Sequence, residues 1–207
     1  MSDSQLVGLA KDFFQNSLDS SPTSAIMRGH KKYFDQIEEL TEEQFQKEKD
    51  IVDTFIQRLN AIEKDNLTSR EKVTHGMLEF ALSSNKDSLL DRSWEFGAGV
   101  AGFTGFLIDY NQQMFVPDSE SADMMLKRLE LYKRLYTQIA DVQKLGLNNN
   151  RVATERNLLR TIDQLENYLA SSLDQDPLLL VNFSPEISDS EISEWKDKAK
   201  NIIEVNI

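Results

Sequence analysis

Outside one short stretch, the chain contains almost nothing that ends a helix. Its 207 residues include only 8 glycines and 4 prolines, and four of those glycines fall at positions 97, 99, 102 and 105. Both residue types are used well below average, so long helices are the default elsewhere. Within this breaker-poor background, apolar residues recur with helical rather than strand periodicity. Leu6, Ala10 and Phe13, with Val7, Phe14 and Leu18, predict a first helix over 3–19. Pro22 just inside the start and Gly29 just past the end predict a short second helix. Residues 30–40 show no period and read as a loop.

Three helix starts are written into the sequence as capping boxes, in which a hydroxyl and a Glu or Gln three residues later satisfy each other's free backbone N–H groups. Thr41 with Gln44 opens a helix over 42–64, with Leu40 placed to staple onto Phe45. Its buried stripe is Phe45, Val52, Phe55, Leu59 and Ile62. Thr68 with Glu71 opens a helix to about 92. One face carries Val73, Met77, Phe80 and Ala81, the adjoining one Leu78, Leu82 and Leu89. Gly76 weakens this helix by about 1 kcal/mol relative to Ala. Ser188 with Glu191 opens the last helix, where Ile187 staples onto Ile192 and Ile192, Trp195, Ala199 and Ile202 form the stripe.

Residues 97–117 interrupt the pattern and read as a Gly-rich irregular connection ending at Pro117. A long helix is expected over 119–145, with Asp118, Glu120 and Asp123 at its positive N-terminal end. Its stripe is Ala122, Met125, Leu126, Leu129, Tyr132, Tyr136 and Ile139, and Gly146 is expected to stop it. Asn150 is placed to cap a further helix over 151–173 that buries Leu158, Ile162, Leu165 and Leu169. Two long helices joined by a short turn predict an antiparallel hairpin. A linker over 174–187 precedes the last helix. The expected fold class is therefore all-α, with antiparallel helix hairpins in an orthogonal or bundle-like array, forming a single helical domain over 1–207.

Composition narrows the function classes. Lys and Arg number 23 against 35 Asp and Glu, a net charge of −12. Such a surface does not displace counterions from nucleic-acid phosphates or dock on anionic lipid, so neither nucleic acid nor membrane is an expected partner. The absence of cysteine excludes disulfides, thiolate metal sites and a cysteine nucleophile. The N-terminus lacks a cationic start followed by an apolar run. The longest uncharged apolar-leaning run, Gly97 to Ile108, is about half of what a bilayer span needs. A cytoplasmic location is expected.

Only His30 and His75 could supply imidazole. Glu71, His75 and Glu79 lie at i, i+4 and i+8 on one helix face, a spacing that could gather two carboxylates and an imidazole around a metal. The plainer reading is a solvated polar face opposite a buried Val73, Met77 and Phe80. A di-iron bundle needs E-x-x-H pairs on two helices, and none occurs. The glycine cluster at 97–105 follows no strand and lacks G-K-S/T, so it does not read as a phosphate loop. His30 reads as a surface loop residue, and Phe13, Phe14, Phe45, Phe55, Phe80, Tyr132 and Tyr136 read as core. No H-E-x-x-H, C-x-x-C or G-x-S-x-G motif is present. Catalytic, cofactor-binding and metal residues are accordingly expected to be none.

Several segments, taken in order, resemble the bacterial domain-of-unknown-function 885 family. Pro22, Ala25 and Gly29 match its P-x-x-A-x-x-x-G entry. Leu40-Thr41, Leu59-Asn60-Ala61-Ile62 and Leu67-Thr68 with Glu71 follow its next stretch. Leu126, Arg128 and Leu129 match a helix carrying R-L, and Gly146, Arg151-Val152 and Ile162 with Gln164-Leu165 match the helix after it. The resemblance spans about 10–207. It implies a predominantly helical protein, commonly more than twice this length, related to zincin-type zinc peptidases whose H-E-x-x-H motif lies in the C-terminal half. No position here matches a zinc ligand or the catalytic glutamate. The resemblance thus implies an N-terminal helical portion that is non-catalytic by itself, with zinc held only by the missing C-terminal half. The apolar cluster Ile202, Ile203, Val205 and Ile207 fits a truncated chain, its partner being that missing half or another protein. The alternative is a free-standing helical protein-interaction module. A third reading is a small ligand-binding bundle with Gly97–Leu107 as a pocket lip.

Overall fold

The computed structural model describes residues 5–96 and 110–206. The glycine cluster at 97–105 and most of the expected irregular connection lie outside the described residues. Eight α-helices are described: α1 Gln5–Asp19, α2 Pro22–Met27, α3 Glu42–Asn60, α4 Ser69–Leu90, α5 Ser119–Glu130, α6 Tyr132–Asn148, α7 Glu155–Ala170 and α8 Asp189–Asn206. Two two-residue strands, β1 Phe115–Val116 and β2 Asn182–Phe183, pair in parallel. The fold class is all-α. The residues group into two compact units, one of 1–20 with 40–94 and one of 21–39 with 95–207.

The first unit is built from α1, α3 and α4. Leu6, Leu9, Val52, Phe55, Leu59, Leu78 and Leu82 form its core. Phe13 meets Phe55 edge-on at 5.6 Å, and Phe45 stacks on Trp94 at 4.3 Å. The Thr68–Glu71 capping box closes in both directions. That of Thr41 closes in one: Thr41 accepts from the Gln44 N–H, but the Gln44 amide donates forward to Glu48. The helix from Thr41 ends at Asn60, so Ile62 packs on the core from the following turn.

On α4 the expected orientation is reversed. Leu78 and Leu82 are buried with His75, while Val73, Met77 and Phe80 are 63%, 69% and 78% exposed. Apolar residues occupy both sides of α4, so periodicity alone does not select a buried face. Leu78 and Leu82 are the pair that reaches the α1–α3 core. Phe14 is exposed as well, so two of the seven aromatics expected in the core are at the surface.

The second unit packs α5 most closely against α8. Trp195, Ala199 and Ile203 of α8 are buried, and the Trp195 indole donates to the Ala122 carbonyl at 2.8 Å. The Ser188–Glu191 box forms. The expected helix over 119–145 is two helices, divided at Leu131, whose N–H bonds back to Arg128 in a tightened turn. The 30–40 stretch is irregular, with one 3₁₀ turn, yet Tyr33, Phe34, Ile37 and Leu40 are buried. The stretch 174–187 contains two 3₁₀ turns and β2, and buries Leu178, Leu179 and Ile187.

Two helix ends show how the unit turns corners. After α2, Gly29 takes φ +84°, with its N–H on the Ile26 carbonyl at 2.8 Å and that of His30 on Ala25 at 3.0 Å. After α6, Asn150 takes φ 54°, its N–H on Leu147 at 3.1 Å and that of Arg151 on Gly146 at 2.8 Å. Both are Schellman closures, which satisfy the last free carbonyls of a helix. Asn150 therefore ends α6 instead of capping α7, whose N-cap position is Thr154. Gly146 lies within α6, where a Cβ would stand 2.6 Å from the Glu95 carbonyl oxygen and 2.8 Å from that of Arg151. Its smallness permits close approach of backbone.

Candidate functional site

Glu71, His75 and Glu79 do share a side of α4, but the two carboxylates are each committed to a different partner. Glu71 accepts from the Thr68 hydroxyl at 2.7 Å and its N–H at 3.0 Å. Glu79 takes both oxygens to the Lys64 ammonium, at 3.1 and 3.0 Å, and this pairing lowers its pKa. His75 is buried, with Nδ1 3.9 Å from a Glu79 oxygen and Nε2 without a hydrogen-bond partner. Among the described residues, no group of three or more His, Asp or Glu converges as a metal site would require. His30 sits half-buried just after the Gly29 turn, its ring edge-on to Tyr33 at 6.4 Å.

The most concentrated polar chemistry is in the second unit, around Arg128. This side chain is fully buried. It donates to the Gln36 carbonyl and, at 2.5 Å, to the Thr23 hydroxyl, with a Glu38 oxygen 3.9 Å away. Glu38 in turn accepts from the Thr23 N–H at 2.9 Å and hydroxyl at 2.7 Å. Behind Arg128, the Tyr132 hydroxyl donates to Asn111 at 3.4 Å, and the Asn111 amide donates to the Leu178 carbonyl at 3.4 Å. Asp176 accepts from the Tyr168 hydroxyl and the Leu178 N–H, both at 2.8 Å. Burial raises the pKa values of Tyr132, Tyr136 and Tyr168. Their phenols are therefore neutral at physiological pH and unsuited to act as bases or nucleophiles.

A second buried pair lies at the α6 turn. Glu95 is buried, with one oxygen 2.9 Å from the Arg151 Nε and the other accepting from the Asn149 amide at 3.1 Å. The Arg151 guanidinium also covers the Phe96 ring at 4.8 Å. Both arrangements tie irregular segments to helices. A buried charge is tolerated only with such partners.

In the sequence, Arg128 stands out only as a point of family resemblance. A signal was available: Arg128 lies inside the apolar stripe of Met125, Leu129 and Tyr132, where a charge must find buried partners. Of its partners, Gln36 and Glu38 come from a segment about 90 residues earlier that has no periodicity, and Thr23 from the short helix before it.

An open groove lies elsewhere in the second unit. It has a volume of about 670 Å³ and runs between α6, α7 and the end of α8. Tyr136, Ala140, Leu165, Leu169 and Val205 line it, with Lys133 and Lys144 on the α6 side. Contrary to expectation, α7 buries only Thr161. Ile162, Leu165 and Leu169 are substantially exposed.

An all-helical protein whose buried charges join segments is thus defined by fold and polar network. A family model, "Bacterial protein of unknown function (DUF885)", matches residues 22–207, and the chain belongs to that family. The match begins at Pro22 and takes in both Schellman turns and the Arg128 network. No curated protein and no solved structure matches the chain. None of the described helices is long and apolar enough to cross a membrane.

Proposed function

We propose that this chain is the helical, non-catalytic portion of a longer cytoplasmic protein of the zinc-dependent peptidase or hydrolase type. In that protein a following segment carries H-E-x-x-H and holds the zinc. The two histidines of such a motif bind the metal and the glutamate activates its water. The present chain contributes shape and protein-binding surface. The observation that carries this reading is the exposed face of α4. Val73, Met77 and Phe80, at i, i+4 and i+7, stand out from a helix whose other side already fills the first unit's core. A large apolar side chain standing alone at a surface is ordinary, but three aligned on one face mark a site for another protein surface. The polar candidates support the same reading, since Glu71 and Glu79 are used to cap and to pair.

The test reads the coding sequence beyond the Ile207 codon and compares the 207-residue chain with the extended protein. A continuing frame with H-E-x-x-H, and zinc-dependent hydrolysis by the extended protein only, is the expected result. Stoichiometric zinc binding at submicromolar affinity, or peptide hydrolysis, by the 207-residue chain alone overturns it. A second reading, a free-standing helical interaction module, is favoured by the uncovered apolar side of α7. It predicts a stop codon after Ile207 and a protein partner in place of a catalytic half.

A further inference from the structure

The geometry points to α7 as a self-association helix: two copies of this chain pair about a two-fold axis, each α7 seating its apolar seam in the other's α6–α7 groove. This holds under either reading above.

The seam is Leu158, Ile162, Leu165 and Leu169. Its spacing of four, three and four residues is that of a coiled-coil contact line. Leu158 is half-buried, while Ile162, Leu165 and Leu169 are 49%, 37% and 75% exposed. Leu165 and Leu169 also form one wall of the 670 Å³ groove. Helix and receptor surface are therefore adjacent on one molecule, as an isologous interface requires. Near the end of α7, Leu165, Tyr168 and Leu169 share the groove with Lys133, Tyr136 and Thr137 near the start of α6. The two helices thus run antiparallel.

Charge identifies the occupant as a second copy. One edge of the seam packs inward through Thr161 and Tyr168, and the open edge carries Glu155 and Glu166, both exposed. Lys133 and Lys144 line the α6 side of the groove, also exposed. Each pair is separated by three helical turns, about 16 Å. A two-fold axis running along the α7 helices keeps them parallel, sets each α7 antiparallel to the other copy's α6, and turns the open edge of each seam toward that α6. Glu155 then meets Lys144, and Glu166 meets Lys133, twice over. Within one chain Lys144 contacts Asp141 at 3.1 Å, but an exposed pair of that kind exchanges readily.

The experiment is sedimentation equilibrium of the 207-residue chain from micromolar to submillimolar concentration, with circular dichroism to verify that each variant is folded. A monomer–dimer equilibrium is expected. Leu165→Glu should weaken it at least about a hundredfold. Glu155→Lys/Glu166→Lys should weaken it roughly threefold to tenfold, and so should Lys133→Glu/Lys144→Glu, as expected for exposed ion pairs. The first of these double variants lowers the net negative charge, so a loss of pairing there is local. Mixing the two weakened variants should restore a dimer, now mixed, because each supplies the charge the other lacks. A chain that stays monomeric overturns the inference. So does a dimer insensitive to the charge reversals, and so does a mixture that fails to associate.

Discussion

Replacing Gly146 by alanine should destabilise the second unit, although a glycine-to-alanine change inside a helix normally does the opposite. The helix term favours alanine by about 1 kcal/mol. Against it, the new methyl carbon would stand 2.6 Å from the Glu95 carbonyl oxygen and 2.8 Å from that of Arg151. Both obstacles are backbone, so relief requires moving chain rather than rotating a side chain. Overpacking of this kind costs about 1–3 kcal/mol. The displaced Arg151 also carries the N–H that closes the α6 end on the Gly146 carbonyl at 2.8 Å, and weakening that bond adds about 1 kcal/mol. The net expectation is a loss of about 2 kcal/mol, or a melting point lower by about 4–8 °C in a chain of this size. Gly76 supplies the contrast. It lies inside α4, and nothing stands within 4 Å of where its Cβ would be. Gly76→Ala should therefore stabilise the first unit by about 0.5–1 kcal/mol. The chain has two tryptophans, Trp94 in the first unit and Trp195 in the second. Urea unfolding followed by fluorescence, in Trp94→Phe and Trp195→Phe backgrounds, reads each unit by itself. A Gly146→Ala protein with a raised midpoint, matching Gly76→Ala, would refute the close-approach reasoning.

Arg128→Met keeps much of the side-chain volume but removes the bonds to Thr23 and Gln36, and should cost about 3 kcal/mol. Limited trypsin digestion should then cut faster at Arg28, Lys31 and Lys32, and unchanged cleavage would sink the anchoring role. At the start of α5, the Lys31 ammonium and then the Ser121 hydroxyl and N–H hold the Asp118 pKa down, from 3.8 to about 2. A depressed carboxyl contributes stability above its unfolded pKa and loses it as pH falls through the folded one. This contribution should therefore be complete above pH 4 and disappear between about pH 4 and 2. A carboxyl titration by NMR should place Asp118 near 2 and show it rising in Lys31→Met; an unmoved midpoint contradicts the pairing.

Helix starts were the most legible part of the sequence, because a cap is a local transaction. Thr68 with Glu71 and Ser188 with Glu191 form as read, and Asp118 caps α5 through the Ser121 N–H. Burial was legible where a helix has one apolar stripe, as on α3, and illegible on α4, where Phe80 and Leu82 compete from opposite sides. Helix ends misled in a different way. Gly146 looked like a terminator because glycine often is one, yet Asn150 takes the left-handed position four residues later. The Tyr33, Phe34 and Ile37 core could not be seen in a segment without periodicity. The bond that ties this segment to α5, from Arg128 to the Gln36 carbonyl, is a long-range fact. The polar residues of α4 were legible only in part: i, i+4, i+8 spacing puts Glu71, His75 and Glu79 on one side of α4 but does not show that Thr68 and Lys64 occupy the carboxylates or that His75 is buried.

The pairing of α5 with α8 has a consequence for how the chain is made. The first unit is complete once Trp94 has been synthesised, since all its residues precede that point. The second cannot close until Trp195 and Ile203 arrive to cover α5, some 70 residues after α5 itself has emerged. During that interval Ala122 and Leu126, which lie beside Trp195 in the folded unit, wait with no α8 to shield that side of the helix. Contacts of such sequence separation form late, and exposed intermediates aggregate. Slowed translation between α5 and α8 should therefore lengthen the vulnerable period of the second unit while leaving the first untouched.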